Sequence, residues 1–142
     1  GERPVLNQIQ FHPWTPREWK DQVAWQESVG IRTTAYTSLG GSRFNSGGEG
    51  RRYAADLAEK YGVTEAQVLL RWSLQQGVAV IPGATSKEHI LENLSIPEGF
   101  QLTQEEMKAL EDSDPPKGWF DVKRGPNKSL GLEAGDDRAW TG

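Results

Sequence analysis

The sequence has no cysteine among its 142 residues, which excludes disulfide bonds, thiol catalysis and thiolate metal sites. Its two histidines lie far apart, so we expect no zinc site. No apolar run approaches the roughly 18 residues that a membrane helix needs. The net charge of −4, with no basic face, argues against a nucleic-acid partner. The chain begins at Gly1 without a signal peptide or basic leader, so we expect a cytoplasmic protein and a fragment or processed start.

Apolar residues are also scarce. They make up 35% of the chain, which is low for a globular protein even though glycine is abundant. The length corresponds to about one domain. We therefore expect a lean core in which the six tryptophans supply much of the buried surface.

Three short segments are rich in β-branched or aromatic residues and are bounded by glycine or proline, which predicts strands at 5–11, 31–36 and 78–81. Helical patterns lie between and after them. Start and stop signals predict helices at 16–28, 52–61 and 65–76, and two more that start at Thr85-Ser86-Lys87-Glu88 and at Thr103-Gln104-Glu105-Glu106. Capping boxes are predicted at Thr15, Thr64 and Thr103.

Strands that alternate with helices in this way predict a parallel sheet with right-handed crossovers. Three strands cannot close a barrel that needs eight, and this is the main anomaly of the sequence. Residues 40–50 are rich in glycine and serine, and residues 114–142 are polar with several prolines and glycines. We expect both segments to lie outside the core, with a domain at 1–113 and a polar loop or partly disordered tail at 114–142.

Two strand-to-helix loops are candidate anion sites. In the first, residues 81–86, a strand ends and a helix begins within a few residues, and such exposed amides bind phosphate. In the second, residues 38–42, small side chains would let the backbone approach a pyrophosphate. The pattern alone favours a plain capped turn at the first and a flexible loop at the second, with the anion sites as the alternatives.

Individual side chains are equally ambiguous. Tyr36 ends the second strand, where its ring would either stack on a ligand or pack at the rim of the core. His12 has no catalytic partner at an informative spacing and is expected to be structural. Asn7 and Gln8 point to opposite faces of their strand. The carboxylates are interpreted as solvated surface without catalytic roles, namely Glu49, Asp56, Glu59 and Glu65.

Five stretches of the chain have a characteristic order and spacing. They are Asn7-Gln8-Ile9-Gln10-Phe11-His12-Pro13, Thr34-Ala35-Tyr36-Thr37-Ser38-Leu39-Gly40, Ala58-Glu59-Lys60-Tyr61-Gly62, Ala66-Gln67-Val68-Leu69-Leu70-Arg71-Trp72, and Val80-Ile81-Pro82-Gly83 with Glu92-Asn93-Leu94. Together they resemble the C-terminal half of the aldo-keto reductase family over roughly residues 4–113. The resemblance implies an α/β fold in which the three parallel strands are the last of a (β/α)8 TIM barrel, here incomplete.

Members of the family are oxidoreductases that reduce aldehydes and ketones with NADPH, so the resemblance implies NADPH as cofactor, with NADH as the alternative, and a small carbonyl compound as substrate. It implies that Gln8 bonds the nicotinamide carboxamide and that Tyr36 stacks on the nicotinamide ring. It also implies contacts with the rest of the cofactor. These would come from Thr37, Leu39 and Gly41 at the pyrophosphate, Ala84, Thr85, Ser86 and His89 at the adenosine phosphate, and Glu92 and Asn93 at the adenine.

The chain departs from the family pattern in two respects. Gly83 and His89 stand where the family often has Lys and Arg for the 2′-phosphate of NADPH; Lys87 is a possible replacement, and the choice between NADP and NAD stays open. No residue matches the catalytic Asp, Tyr, Lys and His of the N-terminal half. We therefore expect no catalytic residue and no turnover by this chain alone, with the missing N-terminal half as its partner and residues 119–120 as one wall of the carbonyl pocket. The alternative is a non-catalytic binding or scaffold module of the same fold.

Overall fold

A computed structural model describes residues 4–41 and 48–113 of the chain. The predicted tail at 114–142, with residues 119–120, lies outside the described residues. Three strands and five helices occupy the described ranges. In chain order they are β1 (Leu6–Gln10), α1 (Arg17–Ser28), β2 (Arg32–Tyr36), α2 (Glu49–Tyr61), α3 (Glu65–Gln75), β3 (Ala79–Val80), α4 (Lys87–Leu94) and α5 (Gln104–Asp112).

The three strands form one parallel sheet in the order β1-β2-β3, which confirms the predicted strand arrangement. Gln8 pairs with Thr34 and Gln10 with Tyr36, whereas Ala35 pairs with Val80. Each strand is shorter than predicted by one or two residues at its ends. The crossover from β2 to β3 includes both α2 and α3.

The two faces of the sheet differ in burial. On one face, Ile9 and Ala35 contact the core, and the Thr33 hydroxyl donates a hydrogen bond of 2.8 Å to Gln26 of α1. Successive side chains of a strand point to opposite faces. Gln8 and Tyr36 therefore share the other face, which we call the open face, and both are exposed there.

The core lies between the sheet and the helices. The predicted apolar stripe of α3 is buried, with Val68, Leu69 and Trp72 completely inaccessible. The expectation that tryptophans supply the core is wrong for half of those described. Trp14 and Trp72 are buried, but Trp19 and Trp25 on α1 are exposed. The apolar residues of α4 are exposed as well, namely Ile90, Leu91 and Leu94.

Local start signals predicted most helix ends correctly. Thr64 and Thr103 form the predicted capping boxes, and Gly62 ends α2 in the left-handed conformation. The box predicted at Thr15 is wrong, because its hydroxyl accepts a hydrogen bond of 2.9 Å from the His12 amide and closes the turn after β1 instead. As a result α1 begins after Pro16 without a side-chain cap.

The glycine-rich segment was expected to lie outside the core as far as residue 50, and this is wrong at its end. Helix α2 begins at Glu49, and Gly50 is buried against the indole of Trp14. A Cβ atom at residue 50 would lie 2.6 Å from the Trp14 ring. Glycine is therefore needed here for the close approach of α2 to Trp14.

We predict that Gly50→Ala lowers the free energy of unfolding by about 1–3 kcal/mol, because the Trp14 ring must move to accept the methyl group. The control is Gly99→Ala, where a Cβ atom meets nothing within 4 Å, and its effect should stay within about 0.5 kcal/mol. Urea unfolding followed by circular dichroism measures both. Equal midpoints for the two variants would contradict the close contact.

The carboxylate of Glu106 connects helix α5 to helix α2. This carboxylate accepts hydrogen bonds from Lys60 Nζ (2.6 Å), the Tyr61 hydroxyl (2.7 Å) and the Thr103 amide (2.8 Å). Burial on its own raises the pKa of Glu106, but these hydrogen bonds outweigh it and leave the pKa below its usual value. The ionised form is therefore the one that connects the two helices.

Candidate functional site

The loop after β2 turns sharply at the carboxyl edge of the sheet. Thr37 has φ of 54°, and Gly40 and Gly41 have φ of 81° and 69°. Within the described ranges, Thr37 is the one non-glycine residue with a left-handed backbone. Such strain is uncommon and concentrates at functional sites. The Gly40 amide donates to the Thr37 carbonyl at 2.8 Å, so the loop folds back directly beside the strand end.

A cleft of about 480 Å³ opens next to this loop. Five parts of the fold line it: the loop after β2, the first turn of α2, the first turn of α3 with its N-cap, the loop after β3, and α4. Its lining residues are Leu39, Gly41, Arg51, Thr64, Glu65, Ala66, Gly83, His89, Glu92 and Asn93. We call it the nucleotide cleft, after the cofactor that the resemblance implies for five of these residues.

Hydrogen bonds connect α3 to α4 along one wall of this cleft. The Thr64 hydroxyl donates to the carboxylate of Glu92, and Gln67 Nε2 donates to the Glu92 carbonyl at 3.0 Å. Gln67 is also the third residue of α3, where its side chain accepts from the Thr64 amide in the capping box. The start of α3 therefore fixes the position of Glu92.

The eleven cofactor-binding residues predicted from the resemblance fall into three groups. Gln8 and Tyr36 lie on the open face, and Tyr36 is 40% exposed. The structure brings five others together in the nucleotide cleft, namely Leu39, Gly41, His89, Glu92 and Asn93. The remaining four do not line the cleft and lie on the two flanking loops: Thr37, Ala84, Thr85 and Ser86.

Ser86 is the N-cap of α4, and its hydroxyl accepts a hydrogen bond of 3.2 Å from the His89 amide. This is the capped turn that one interpretation of the sequence predicted. A capping side chain does not prevent an anion from approaching the turn, because the other amides of the first turn still point outward. His89 follows one turn later, with its side chain at the cleft.

His12 is completely buried, as expected for a structural histidine. Gln10 Nε2 lies 3.1 Å from His12 Nε2, so the ring nitrogen accepts a hydrogen bond from the amide. Burial, and secondarily the charge of Lys20, lower the pKa of His12 to about 3. The ring is therefore neutral at ordinary pH and is not placed for acid or base catalysis at the open face.

Sequence reasoning missed four cleft residues: Arg51, Thr64, Glu65 and Ala66. Glu65 was interpreted as solvated surface and Thr64 only as a helix cap. Thr64 does cap α3 and Glu65 is partly exposed, so each residue has its predicted structural property and also lines the cleft. No local signal distinguishes them, since the cleft forms only when α2, α3 and α4 pack side by side.

A second groove of about 570 Å³ lies between α2 and α5 and includes Arg52, Tyr53 and Asp112, but none of the predicted site residues. In the described part of the chain, no cluster of three or more histidines and carboxylates is arranged to hold a metal ion. The described helices are too short or too polar to span a bilayer.

Parallel strands joined by helices, with a cleft built from loops at the carboxyl ends of the strands, are the arrangement found in α/β-barrel enzymes. The chain belongs to the aldo/keto reductase family, whose family model matches residues 2–115. This confirms the family predicted from the sequence and places the open three-stranded sheet within a barrel fold of which it covers a part.

Three relatives illustrate the match. A protein named probable NAD(P)H-dependent D-xylose reductase from Emericella nidulans is 38% identical over 122 residues, covering 79% of this chain and 37% of that relative. The aldose reductase structure from Schistosoma japonicum is 34% identical with a TM-score of 0.65, covering 77% of this chain and 33% of that one. The structure of a Gox0644 mutant in complex with NADPH is 36% identical with a TM-score of 0.64, and the match covers 76% of this chain and 37% of that one. The chain thus spans little more than a third of the length of its relatives.

Proposed function

We propose that this chain forms the cofactor-binding part of an NAD(P)H-dependent reductase that converts aldehydes and ketones to alcohols. The observation that carries the proposal is the nucleotide cleft, in which Leu39 and Gly41 from the loop after β2 meet His89, Glu92 and Asn93 from α4. The relative from Emericella nidulans, named as NAD(P)H-dependent, and the NADPH complex of Gox0644 support the same cofactor class.

The cleft fits the adenosine and phosphate end of a dinucleotide. Its volume lies within the roughly 300–1,000 Å³ typical of small-molecule sites. Next to Gly83 there is open space, since a Cβ atom built there meets nothing within 4 Å. A phosphate can therefore approach the backbone at this point. Glu92 and Asn93 provide acceptor and donor groups of the kind that an adenine edge requires.

The open face fits the nicotinamide end. Tyr36 presents an exposed ring at the end of β2, where it would stack on a flat heterocycle. Gln8 lies on the same face of the neighbouring strand, and its amide both donates and accepts hydrogen bonds, as a carboxamide partner must. The bound nicotinamide supplies the hydride. In this proposal Gln8 and Tyr36 fix the orientation of its ring relative to the carbonyl substrate.

We further propose that proton donation comes from residues outside this chain. Among the three described tyrosines, Tyr36 is used for stacking, Tyr53 lines the groove between α2 and α5, and the Tyr61 hydroxyl donates to Glu106 on the helix side of the sheet. The open face lets the remaining barrel strands supply the acid, and residues 1–113 form the reductase part with residues 114–142 as its tail. Substrate identity follows from those additional residues.

The proposal predicts that Tyr36→Ala in the 142-residue chain weakens NADPH binding by about tenfold, because base–aromatic stacking contributes roughly 1–3 kcal/mol. Tyr36→Phe keeps the ring and is the matched control, with an unchanged dissociation constant. Quenching of tryptophan fluorescence by NADPH measures both. No difference between the alanine and phenylalanine variants would argue against stacking by this ring.

Activity is tested separately by combining the chain with the remaining barrel segment and following NADPH oxidation with a panel of aldehydes. Turnover only in the combined sample is the expected result. If the combined sample binds the cofactor but turns over no aldehyde, the result favours the alternative of a non-catalytic binding module over the reductase. Turnover by the chain alone would refute the proposal that its acid comes from elsewhere.

A further inference from the structure

Two adjacent arginines at the start of α2 face different grooves. Arg51 lines the nucleotide cleft, whereas Arg52 lines the groove between α2 and α5. Nothing in the sequence distinguishes the two residues, since both stand in the first turn of the same helix. The structure therefore gives only one of them access to a ligand in the cleft.

Arg51 forms an ion pair across the cleft wall. Its Nε lies 3.3 Å from Oε2 of Glu65, and the two side chains are 34% and 30% exposed. An ion pair with this much exposure contributes little to stability, typically about 0–1 kcal/mol. The guanidinium can consequently leave Glu65 for a stronger acceptor without a large loss of free energy.

The charges that line the cleft are unbalanced. Glu65 and Glu92 contribute carboxylates, and Arg51 is the one permanently charged cation among the described lining residues. A phosphate that enters this space meets two negative groups, one of which is held by the Thr64 hydroxyl. The arginine fork matches phosphate oxygens in geometry as well as charge. Binding of a phosphate here thus depends on Arg51.

We propose that Arg51 is a phosphate-binding residue of the nucleotide cleft and that its guanidinium exchanges Glu65 for a phosphate group of the bound dinucleotide. The proposal rests on the proposed cofactor function and adds the residue that provides the charge. It assigns opposite roles to the two partners, since Arg51 attracts the phosphate and Glu65 competes with it for the guanidinium.

The two roles predict opposite effects on affinity. Arg51→Gln is expected to weaken binding of the dinucleotide about tenfold, the size of one charge-assisted hydrogen bond to phosphate. Arg51→Lys keeps the charge without the fork and should fall between the wild type and the glutamine variant. Glu65→Gln removes a carboxylate that competes for the guanidinium and should tighten binding by roughly two- to fivefold. Arg52→Gln is the matched control and should leave affinity unchanged.

Isothermal titration calorimetry of the 142-residue chain with NADP⁺ and NAD⁺ measures these affinities, and circular dichroism verifies the fold of each variant. If Arg51→Gln lowers the affinity for NADP⁺ alone, Arg51 lies at the adenosine 2′-phosphate. If it lowers the affinities for NADP⁺ and NAD⁺ equally, Arg51 lies at the pyrophosphate. Either result supports the proposal. Wild-type affinity of Arg51→Gln for both dinucleotides, or weaker binding by Glu65→Gln, overturns it.

Titration with inorganic pyrophosphate separates this proposal from the cofactor function. If the wild type binds neither dinucleotide but binds pyrophosphate in a manner that Arg51→Gln abolishes, the cofactor function fails and the phosphate site stands. If the wild type binds none of the three probes, both proposals are overturned.

Discussion

Acidification from pH 7 to pH 5 is expected to lower the free energy of unfolding by about 2 kcal/mol through His12 alone. The histidine is buried and its pKa in the folded protein is about 3. In the unfolded chain the same side chain titrates near the ordinary histidine pKa of 6.5. The unfolded state therefore binds a proton first as the pH falls, and protonation pulls the equilibrium towards unfolding. Stability is complete above pH 6.5 and is lost progressively towards pH 3.

The measurement is urea unfolding at half-unit steps of pH, and its control uses the other histidine of the chain. His12→Gln should remove most of the slope between pH 7 and 5, whatever its effect on the absolute stability. His89→Gln, on the exposed surface of α4, should retain the wild-type slope. Glu106 contributes little in this window, because its hydrogen bonds hold its pKa below the ordinary value and the stability it provides is lost only as the pH falls through the range in which glutamates ordinarily titrate. Parallel slopes for wild type and His12→Gln would rule out a buried neutral ring.

The features predicted correctly from the sequence are those fixed by short-range interactions. The boxes at Thr64 and Thr103 form because donor and acceptor lie within four residues of each other. Gly62 ends α2 because a left-handed residue is needed there and glycine adopts it without strain. Thr15 has the same local signal, but its hydroxyl accepts a hydrogen bond from the His12 amide instead, and this competing turn depends on the path of the chain after β1.

The candidate site was predictable only through the family resemblance. Five of the residues that the resemblance named in α4 and after β2 meet in one cleft, whereas Thr37 lies outside its lining. Arg51 and Glu65 meet there too, yet each is indistinguishable in sequence from an ordinary charged residue in the first turn of a helix. Their meeting depends on where α2 lies, and its first turn is placed by the contact of Gly50 with Trp14, two residues far apart in the chain.

Composition alone does not predict which tryptophans are buried, because burial depends on how each helix is rotated against the sheet. On α1 the buried residues are Val23 and Gln26, and the amide of Gln26 bonds the hydroxyl of Thr33 at 2.8 Å. That polar contact sets the rotation of the helix and leaves Trp25 59% exposed. On α3 the buried face includes Leu69 and Trp72, so the indole of Trp72 reaches the centre of the core.

Trp72→Ala is accordingly expected to lower the free energy of unfolding by about 3–5 kcal/mol, the range for truncation of a fully buried aromatic residue. The indole is completely inaccessible, its ring centroid lies 5.2 Å from that of Phe11, and the ammonium of Lys20 lies 5.2 Å from the ring. Its removal leaves a cavity where β1, α1 and α3 meet. Urea unfolding followed by circular dichroism at neutral pH measures the loss without relying on tryptophan fluorescence.

Two companion variants make this measurement decisive for the described core. Trp25→Ala removes the same side chain from an exposed position and should change stability by no more than about 0.5 kcal/mol. Trp72→Phe keeps an aromatic ring beside Phe11 and removes an indole N–H that has no hydrogen-bond partner among the described residues, so it should cost less than half as much as the alanine variant. Similar losses for Trp25→Ala and Trp72→Ala would mean that α1 and α3 do not present these faces to the sheet.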